Sequence, residues 1–368
     1  MIREAVIEKS VGITKIVIAG DWHSNIHEEP LANALESLGK QVVRFKWHEY
    51  FSTSDETSMV KKIRLKFEAY FSFGLSVRSI NKSLLKTVEN ESPDLVFIYR
   101  PNLISKNTIE SIKAFGRRTW VVSYNNDDPF SSLYPWYTWA RYKRSIKSYD
   151  LLFSYRPNNV ADYYAYGAKS VEMLPPWYVE ELNYPIALSG SDVEKYSCDV
   201  VFIGHYEKDG RLSFLRKLVG SGVRVGLYGP GWNDAIKDDT VLGHLYPVRY
   251  LGSSEYNKAL CGSKLALVLY SKLNNDVYTR RCFEIPATKT AMLAKRTKEM
   301  ELIYSDGEEV IFFDDEDHAV GLVHDYLKDE ERIKRIAHNG WRRAKSSGYE
   351  VKSRANQLLK DTLSLQGI

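Results

Sequence analysis

Short apolar runs recur along the first half of the chain, each stopped by a glycine, a proline or a polar cluster. Ile13–Ala19 (ITKIVIA) stops at Gly20; Gln41–Phe45, Asp94–Tyr99 (DLVFIY), Thr119–Tyr124 (TWVVSY), Asp150–Ser154 (DLLFS) and Ser170–Leu174 follow. Runs of this length, rich in β-branched and aromatic residues, predict buried strands. Between them the spacing changes to three and four. Pro30 opens a helix with Leu31, Leu35 and Leu38 on one face, closed by Gly39. From about Thr57 to Glu89 the positions of Ile63, Phe67, Tyr70, Phe71, Ile80, Leu84 and Val88 predict helix, with Gly74 as an interruption. Helical sequence also lies near each of the later strands.

After an aperiodic stretch from Pro175 to about Ser197, the alternation starts again. Cys198–Ile203 ends at Gly204, a helix spans Arg211–Val219, and Val223–Tyr228 runs into the turn Gly229-Pro230-Gly231. A helix near Glu255–Cys261 and a strand at Lys264–Leu269 precede the segment 274–295 (NNDVYTRRCFEIPATKTAMLAK), which reads as a loop, a short helix starting near Thr279 and a buried strand at Thr290–Ala294. Val310–Phe313, a helix from Glu316 to Leu327 and two terminal helices complete the chain, the last at about Glu350–Leu363. Continuous apolar strands alternating with helices imply parallel sheets covered on both faces. The expected fold class is α/β, with two Rossmann-like doubly wound domains facing a central cleft. We divide the chain into 1–178, a linker at 179–197, 198–348, and a C-terminal helix at 349–368 that packs back towards the first domain. Small molecules bind such sheets outside the carboxyl ends of their strands.

Composition narrows the classes without naming one. The 368 residues suit two domains, and 44% hydrophobic with 27% charged residues is ordinary for a folded protein. No apolar run approaches the roughly 18 residues that cross a bilayer, and the opening MIREAVIEKS lacks the apolar region of a secretory leader. Cys198, Cys261 and Cys282 are odd in number and form no CxxC, which argues against a disulfide framework or a zinc site and for a reducing cytoplasm. A net charge of +4 gives no reason to invoke nucleic acid. Its distribution is uneven. Residues 61–86 hold seven Lys/Arg and one acid, Glu68, among several aromatics; residues 134–149 hold four basic residues, no acid and six Tyr/Trp. Such segments form solvated cationic faces, or rest on anionic lipid as a peripheral contact at the inner face of a membrane.

The candidate chemistry gathers at strand ends. Gly204 with His205, and Tyr228 with Gly229, follow strands where glycine lets backbone amides approach an anion. None of these glycines forms GxGxxG or a Walker A sequence, which disfavours nicotinamide chemistry and P-loop hydrolysis. Arg280 and Arg281 stand at a helix start, and Arg211 at another; guanidinium groups there would neutralise a diphosphate with no metal required, or else merely balance Asp276 and Glu284. Glu284 lies in an apolar context, FEIPA, and needs hydrogen-bond donors such as two vicinal sugar hydroxyls, or a structural arginine. His23 and His27 show HxxxH spacing beside Glu28, but the helix begins after them, so zinc is disfavoured. Asp127 and Asp128 in NNDDP grip a cation or cap a turn, and DDED (314–317) reads as a helix N-cap.

The order CDVVFIG, RLSFLRKL, LYGPGW, RRCFEIPATKTAMLAK, then GEEVIFFDDED and a helix-rich tail resembles the CgeB-like (spore-maturation type) glycosyltransferase family, within the group-1 GT-B-fold transferases. YNNDDPF, DLLFSYR and YGAKSVEMLPPW in the first half are similar to it as well. The resemblance implies a nucleotide-sugar donor bound mainly by the second domain and an acceptor, whether glycan, lipid-linked or protein, by the first. It implies that Glu284 holds the donor ribose and Asp276 the donor sugar, where glutamate is usual, and that transfer proceeds with retention. Lys289 stands where the family commonly has glycine. Were transfer inverting, His23 or Asp128 would be the candidate base. A nucleotide-sugar epimerase on the same fold and a non-catalytic nucleotide- or glycan-binding protein are the rival expectations.

Overall fold

Six parallel strands build the first of two sheets in the computed structural model, which describes residues 12–115 and 119–365. The opening segment MIREAVIEKS, read above for a leader, lies outside the described residues. In chain order the elements are β1 (Lys15–Gly20), α1 (Glu28–Ser37), β2 (Gln41–Lys46), α2 (Met59–Phe71), α3 (Leu75–Glu91), β3 (Leu95–Tyr99), α4 (Lys106–Ala114), β4 (Trp120–Asn125), α5 (Ala140–Ser145), β5 (Leu151–Ser154), α6 (Asn159–Ala165) and β6 (Val171–Met173). The sheet order is β2-β1-β3-β4-β5-β6. All five residues of β3 are buried, as expected of a central strand with helices on both faces. Val77, Ile80, Leu84 and Val88 of α3 and Ile109 and Ile112 of α4 share one core with Val17, Val96 and Ile98.

The helical stretch expected over residues 57–89 is two helices, interrupted as expected at Gly74, which takes φ +132°. The break has a chemical partner. The Glu68 carboxylate turns inward and accepts hydrogen bonds from the backbone N–H of Leu75 (3.1 Å) and Ser76 (2.9 Å), capping α3. A Cβ on Gly74 would lie 2.4 Å from Glu68 Cγ, so the cap requires glycine there. α1 starts two residues earlier than Pro30, at Glu28. Proline is tolerated because the first-turn amides lack intrahelical partners anyway.

The second sheet is built from residues 176–354. Its elements are α7 (Ser191–Tyr196), β7 (Cys198–Ile203), α8 (Arg211–Gly220), β8 (Val225–Tyr228), α9 (Asn233–Ile236), α10 (Ser253–Cys261), β9 (Ser263–Val268), α11 (Arg281–Ala287), β10 (Ala291–Lys295), α12 (Lys298–Ile303), β11 (Ile311–Phe313), α13 (Glu316–Leu327) and α14 (Glu330–Ser346). Its order is β11-β10-β9-β7-β8, again all parallel. α15 (Val351–Ser364) follows, and the residues from Ala355 onward group with the first unit. There Gln357 donates to the Met173 carbonyl at 2.7 Å. α7 lies inside the stretch read as aperiodic. Six residues are too few to show a period, and the helix is fixed from outside, by Tyr196 and Lys195 reaching Glu255 at 2.7 and 2.9 Å. Cys198, Cys261 and Cys282 are all free thiols. Among the described residues no helix is long and apolar enough to cross a membrane.

In each sheet the strand order reverses beside the first strand of the unit, between β1 and β3 in one and between β7 and β9 in the other. At such a reversal the loops leave in opposite directions and open a crevice at the carboxyl edge.

Candidate active site

The loops at the reversal in the second sheet contain most of the expected donor-side residues. Phe202 of β7 pairs with Leu267 of β9, which puts Gly204 beside the start of the 269–280 loop. Gly204 donates its N–H to the Tyr228 carbonyl (2.9 Å), and its own carbonyl accepts the indole N–H of Trp232 (2.8 Å). Gly229, at φ +126°, passes so close that a Cβ on it would lie 2.3 Å from the Gly204 oxygen. The structure therefore brings Gly204, Tyr228 and Gly229 together. It also corrects one detail: the Gly204 amide is already used by Tyr228. The next amide, that of His205, makes no hydrogen bond among the described residues.

Arg281, the first residue of α11, reaches the same point. A Cβ built on Gly204 would stand 3.3 Å from its Nη2. Its guanidinium makes no hydrogen bond or ion pair among the described residues. His205 lies alongside, and partial desolvation, followed by the Arg281 charge, lowers its pKa below the usual histidine value.

Arg280 is turned to a different purpose. Its Nε donates to Glu284 Oε1 at 2.8 Å, and its guanidinium lies over the Trp177 ring, 5.5 Å from the centroid. The Tyr256 hydroxyl donates to the other oxygen of Glu284, also at 2.8 Å. The buried carboxylate is thus held by one cation and one phenol, and each oxygen keeps a lone pair for a further donor. Burial, with the adjacent Glu284 charge, holds the Tyr256 phenol well above its ordinary pKa, so it stays a donor. Sequence reasoning did not anticipate Tyr256 or Trp177. Both lie far from residue 284 along the chain, on other elements, where no local pattern marks them.

Arg211, read above as a diphosphate ligand, is engaged elsewhere. It is 5% exposed, forks onto Asp209 (Nε–Oδ1 2.8 Å, Nη2–Oδ2 2.6 Å), pairs with Glu207 at 3.1 Å and donates to the His205 carbonyl. With its donors committed to the 205–210 loop it braces that loop instead of presenting charge to a ligand. Asp276 sits in the β9 loop, its N–H donating to the Ser271 carbonyl at 3.0 Å. Its carboxylate adds to the effect of burial on Cys282, whose thiol is pushed up to about 11, and to that of desolvation on the half-buried Tyr270. The hydroxyl of Thr279, just before α11, is buried with no partner among the described residues.

In the first sheet His23 is exposed in the loop after β1, while His27 Nδ1 lies 3.0 Å from the Tyr99 hydroxyl. The acidic pair of NNDDP is divided. Asp127 pairs with Arg100 at 2.9 Å, and buried Asp128 accepts from the Phe130 N–H and from Asn159 Nδ2, both at 2.9 Å. Asp128 is therefore a turn cap, a poor position for a base. Among the described residues no group of three or more His, Cys, Asp or Glu is arranged to hold a metal ion. Asp315 accepts from the His318 N–H at 2.9 Å and caps α13, as its position in DDED predicts.

Comparison with known proteins points the same way. Residues 211–360 match the glycosyl transferase-like family model. No curated protein matches the sequence. Solved structures match it along nearly its whole length. A sucrose-phosphate synthase from Thermosynechococcus elongatus shares 11% identity over 96% of this chain and 99% of its own, with a TM-score of 0.68. A glycosyltransferase from Rickettsia africae shares 10% over 97% and 99%, also with a TM-score of 0.68. Anabaena HepE, solved with UDP-glucose, shares 12% over 95% and 99%, with a TM-score of 0.65. The fold is GT-B. The family match begins at Arg211 and takes in α11, so it covers Arg280, Arg281 and Glu284 but leaves out β7 and Gly204.

Proposed function

We propose that this protein is a glycosyltransferase that moves a sugar from a nucleoside-diphosphate sugar to a glycan, glycolipid or glycoprotein acceptor, of the CgeB-like kind that its motifs resemble. The observation that carries the reading is the Arg281 guanidinium, without a hydrogen bond or ion pair among the described residues, beside Gly204 at the strand reversal, with Glu284 one helical turn further on. The glycosyl transferase-like match over the same segment supports it. In transfer the bond from the anomeric carbon to the diphosphate oxygen breaks as the acceptor oxygen bonds to that carbon. Negative charge then grows on the departing diphosphate while the sugar becomes oxocarbenium-like. Arg281 and the His205 amide, which makes no hydrogen bond among the described residues, meet the first charge in a metal-independent reaction. Glu284, fixed by Arg280 and Tyr256, accepts from the ribose hydroxyls, and Asp276 from the donor sugar.

The resemblance, which sets Asp276 and Glu284 at the positions of the acidic pair of retaining enzymes, implies retention, with the acceptor proton passing to the leaving phosphate oxygen. Under inversion His23 remains the candidate base, since Asp128 is committed to its turn. Acceptor binding falls to the first unit, and the three free cysteines suit a cytoplasmic setting. The decisive experiment is a screen of nucleotide sugars for thermal stabilisation and slow hydrolysis, with and without magnesium. Glu284→Ala should weaken the best donor about tenfold or more by calorimetry. Unchanged affinity in a folded Glu284→Ala chain removes the donor assignment, and sugar turnover without any acceptor would indicate an epimerase instead.

A further inference from the structure

α2 presents its apolar side to solvent. At about 100° per residue, Met59, Val60, Ile63, Phe67 and Tyr70 fall within an arc of about 100° on the helix. These five residues are between 57% and 78% exposed. Lys62 and Lys66 border the arc on one side and Arg64 on the other. The helix is anchored by its opposite side, through buried Leu65 and Glu68. The apolar surface continues past the helix end to exposed Phe73 and Leu75, and across to Leu133 and Trp136. Those two segments form one patch, since Tyr137 donates its hydroxyl to that of Tyr70 at 2.8 Å, packs against Phe71 at 4.9 Å between ring centroids, and meets its neighbour Trp136 edge to face at 5.9 Å.

Charge selects what covers it. Lys61, Lys62 and Lys66 make no ion pair among the described residues. Glu68, the single acid of 61–86, is turned inward to cap α3, and Asp55 and Glu56 precede the helix. An apolar arc bordered by lysine and arginine on both edges, with a tryptophan and tyrosines at its margin, is the arrangement of a helix lying in the plane of a membrane interface. The rings and aliphatic groups enter the acyl boundary there, and the long basic side chains reach back to phosphate. We propose that α2, with the 133–137 segment, docks this protein onto an anionic lipid surface. The inference goes beyond the transfer reaction and does not depend on it.

The test uses the full chain in vesicle flotation, comparing phosphatidylcholine alone with phosphatidylcholine containing phosphatidylglycerol. The expected result is recovery with the anionic vesicles, reduced by added salt. Ile63→Asp and Phe67→Asp should each reduce it about tenfold, and Lys62→Glu with Lys66→Glu should reduce it on anionic vesicles only. Ile63, Lys66 and Phe67 are exposed and Lys62 half-buried, so none of these variants touches the core; nucleotide-sugar affinity in free solution, measured on the same preparations, should be unchanged and keeps the donor question separate. Equal recovery on neutral and anionic vesicles overturns the proposal. So does a wild-type chain that ignores both while self-associating in a way Ile63→Asp abolishes, which would make the patch an interface between copies.

Discussion

Arg280 and Arg281 separate structure from ligand at one step along the chain, because a helical step turns neighbouring side chains about 100° apart. Arg280→Ala would leave the buried Glu284 carboxylate without its cation, and should cost about 3 kcal/mol in urea unfolding. Arg281→Ala removes a side chain with no ion pair among the described residues, so stability should move by no more than about 0.5 kcal/mol. Donor affinity should nevertheless fall about tenfold or more. The reverse pattern, with Arg281→Ala destabilised and binding intact, would exchange their roles. The sequence shows two cationic residues at a helix start and cannot say which of them Glu284 takes. That depends on Trp177 and Tyr256, which arrive from other elements.

At the scale of elements the reading from sequence is strongest where a strand is central and weakest where a helix is short. β7 and α13 match their expected spans because their apolar content is continuous or strictly spaced. α12, six residues opened by Thr297 accepting from the Met300 N–H at 3.1 Å, is too short for periodicity to mark, and only the family resemblance implies a short acidic helix there. α11 ends in a telling way. Lys289, where the family that the motifs resemble commonly has glycine, sits at φ +59°, with its ammonium 5.7 Å from the Trp341 ring centroid. The left-handed backbone there explains why glycine suits the position, and the ring contact partly offsets lysine's strain. Lys289→Gly should be neutral or stabilising by up to about 1 kcal/mol, whereas β-branched Lys289→Val should destabilise by about 1–2 kcal/mol, both read from chemical denaturation. A Val variant as stable as Gly would contradict the backbone assignment.

Across the whole molecule the carboxylates set the acid limit. Hydrogen bonds from Lys195 and Tyr196 hold Glu255 down at about 2, from an ordinary 4.5. Asp199 is lowered too: partial burial opposes the shift, but Arg224 outweighs it. A group whose folded pKa is depressed contributes its stability above the unfolded value and loses it as pH falls through the folded one. Stability should therefore decline between about pH 4.5 and 2, with Glu255 accounting for about 1 kcal/mol after solvent screening. Urea midpoints for the wild type and Glu255→Gln should converge at the acid end; a constant gap would refute the linkage. On this scale the alternation of strands and helices made the two-sheet plan legible. It also placed Gly204 and the 274–295 segment at strand ends. It left the coverage of α2 open, since an apolar period reads the same whether its face is buried or exposed.

The close passage of Gly229 against the Gly204 carbonyl divides the crevice into a stiff wall and a compliant one. The β7 and β8 ends are seamed at backbone distance, tied further by the Gly204–Tyr228 and Trp232 hydrogen bonds, and they have no slack to yield to an incoming molecule. The opposite wall is the irregular 269–280 loop, with Asn275 at φ +48° and no strand or helix of its own. Any adjustment to the size of a ligand in this crevice has to come from that second wall, which makes loop composition at 271–279 the natural dial for tuning what the crevice accepts.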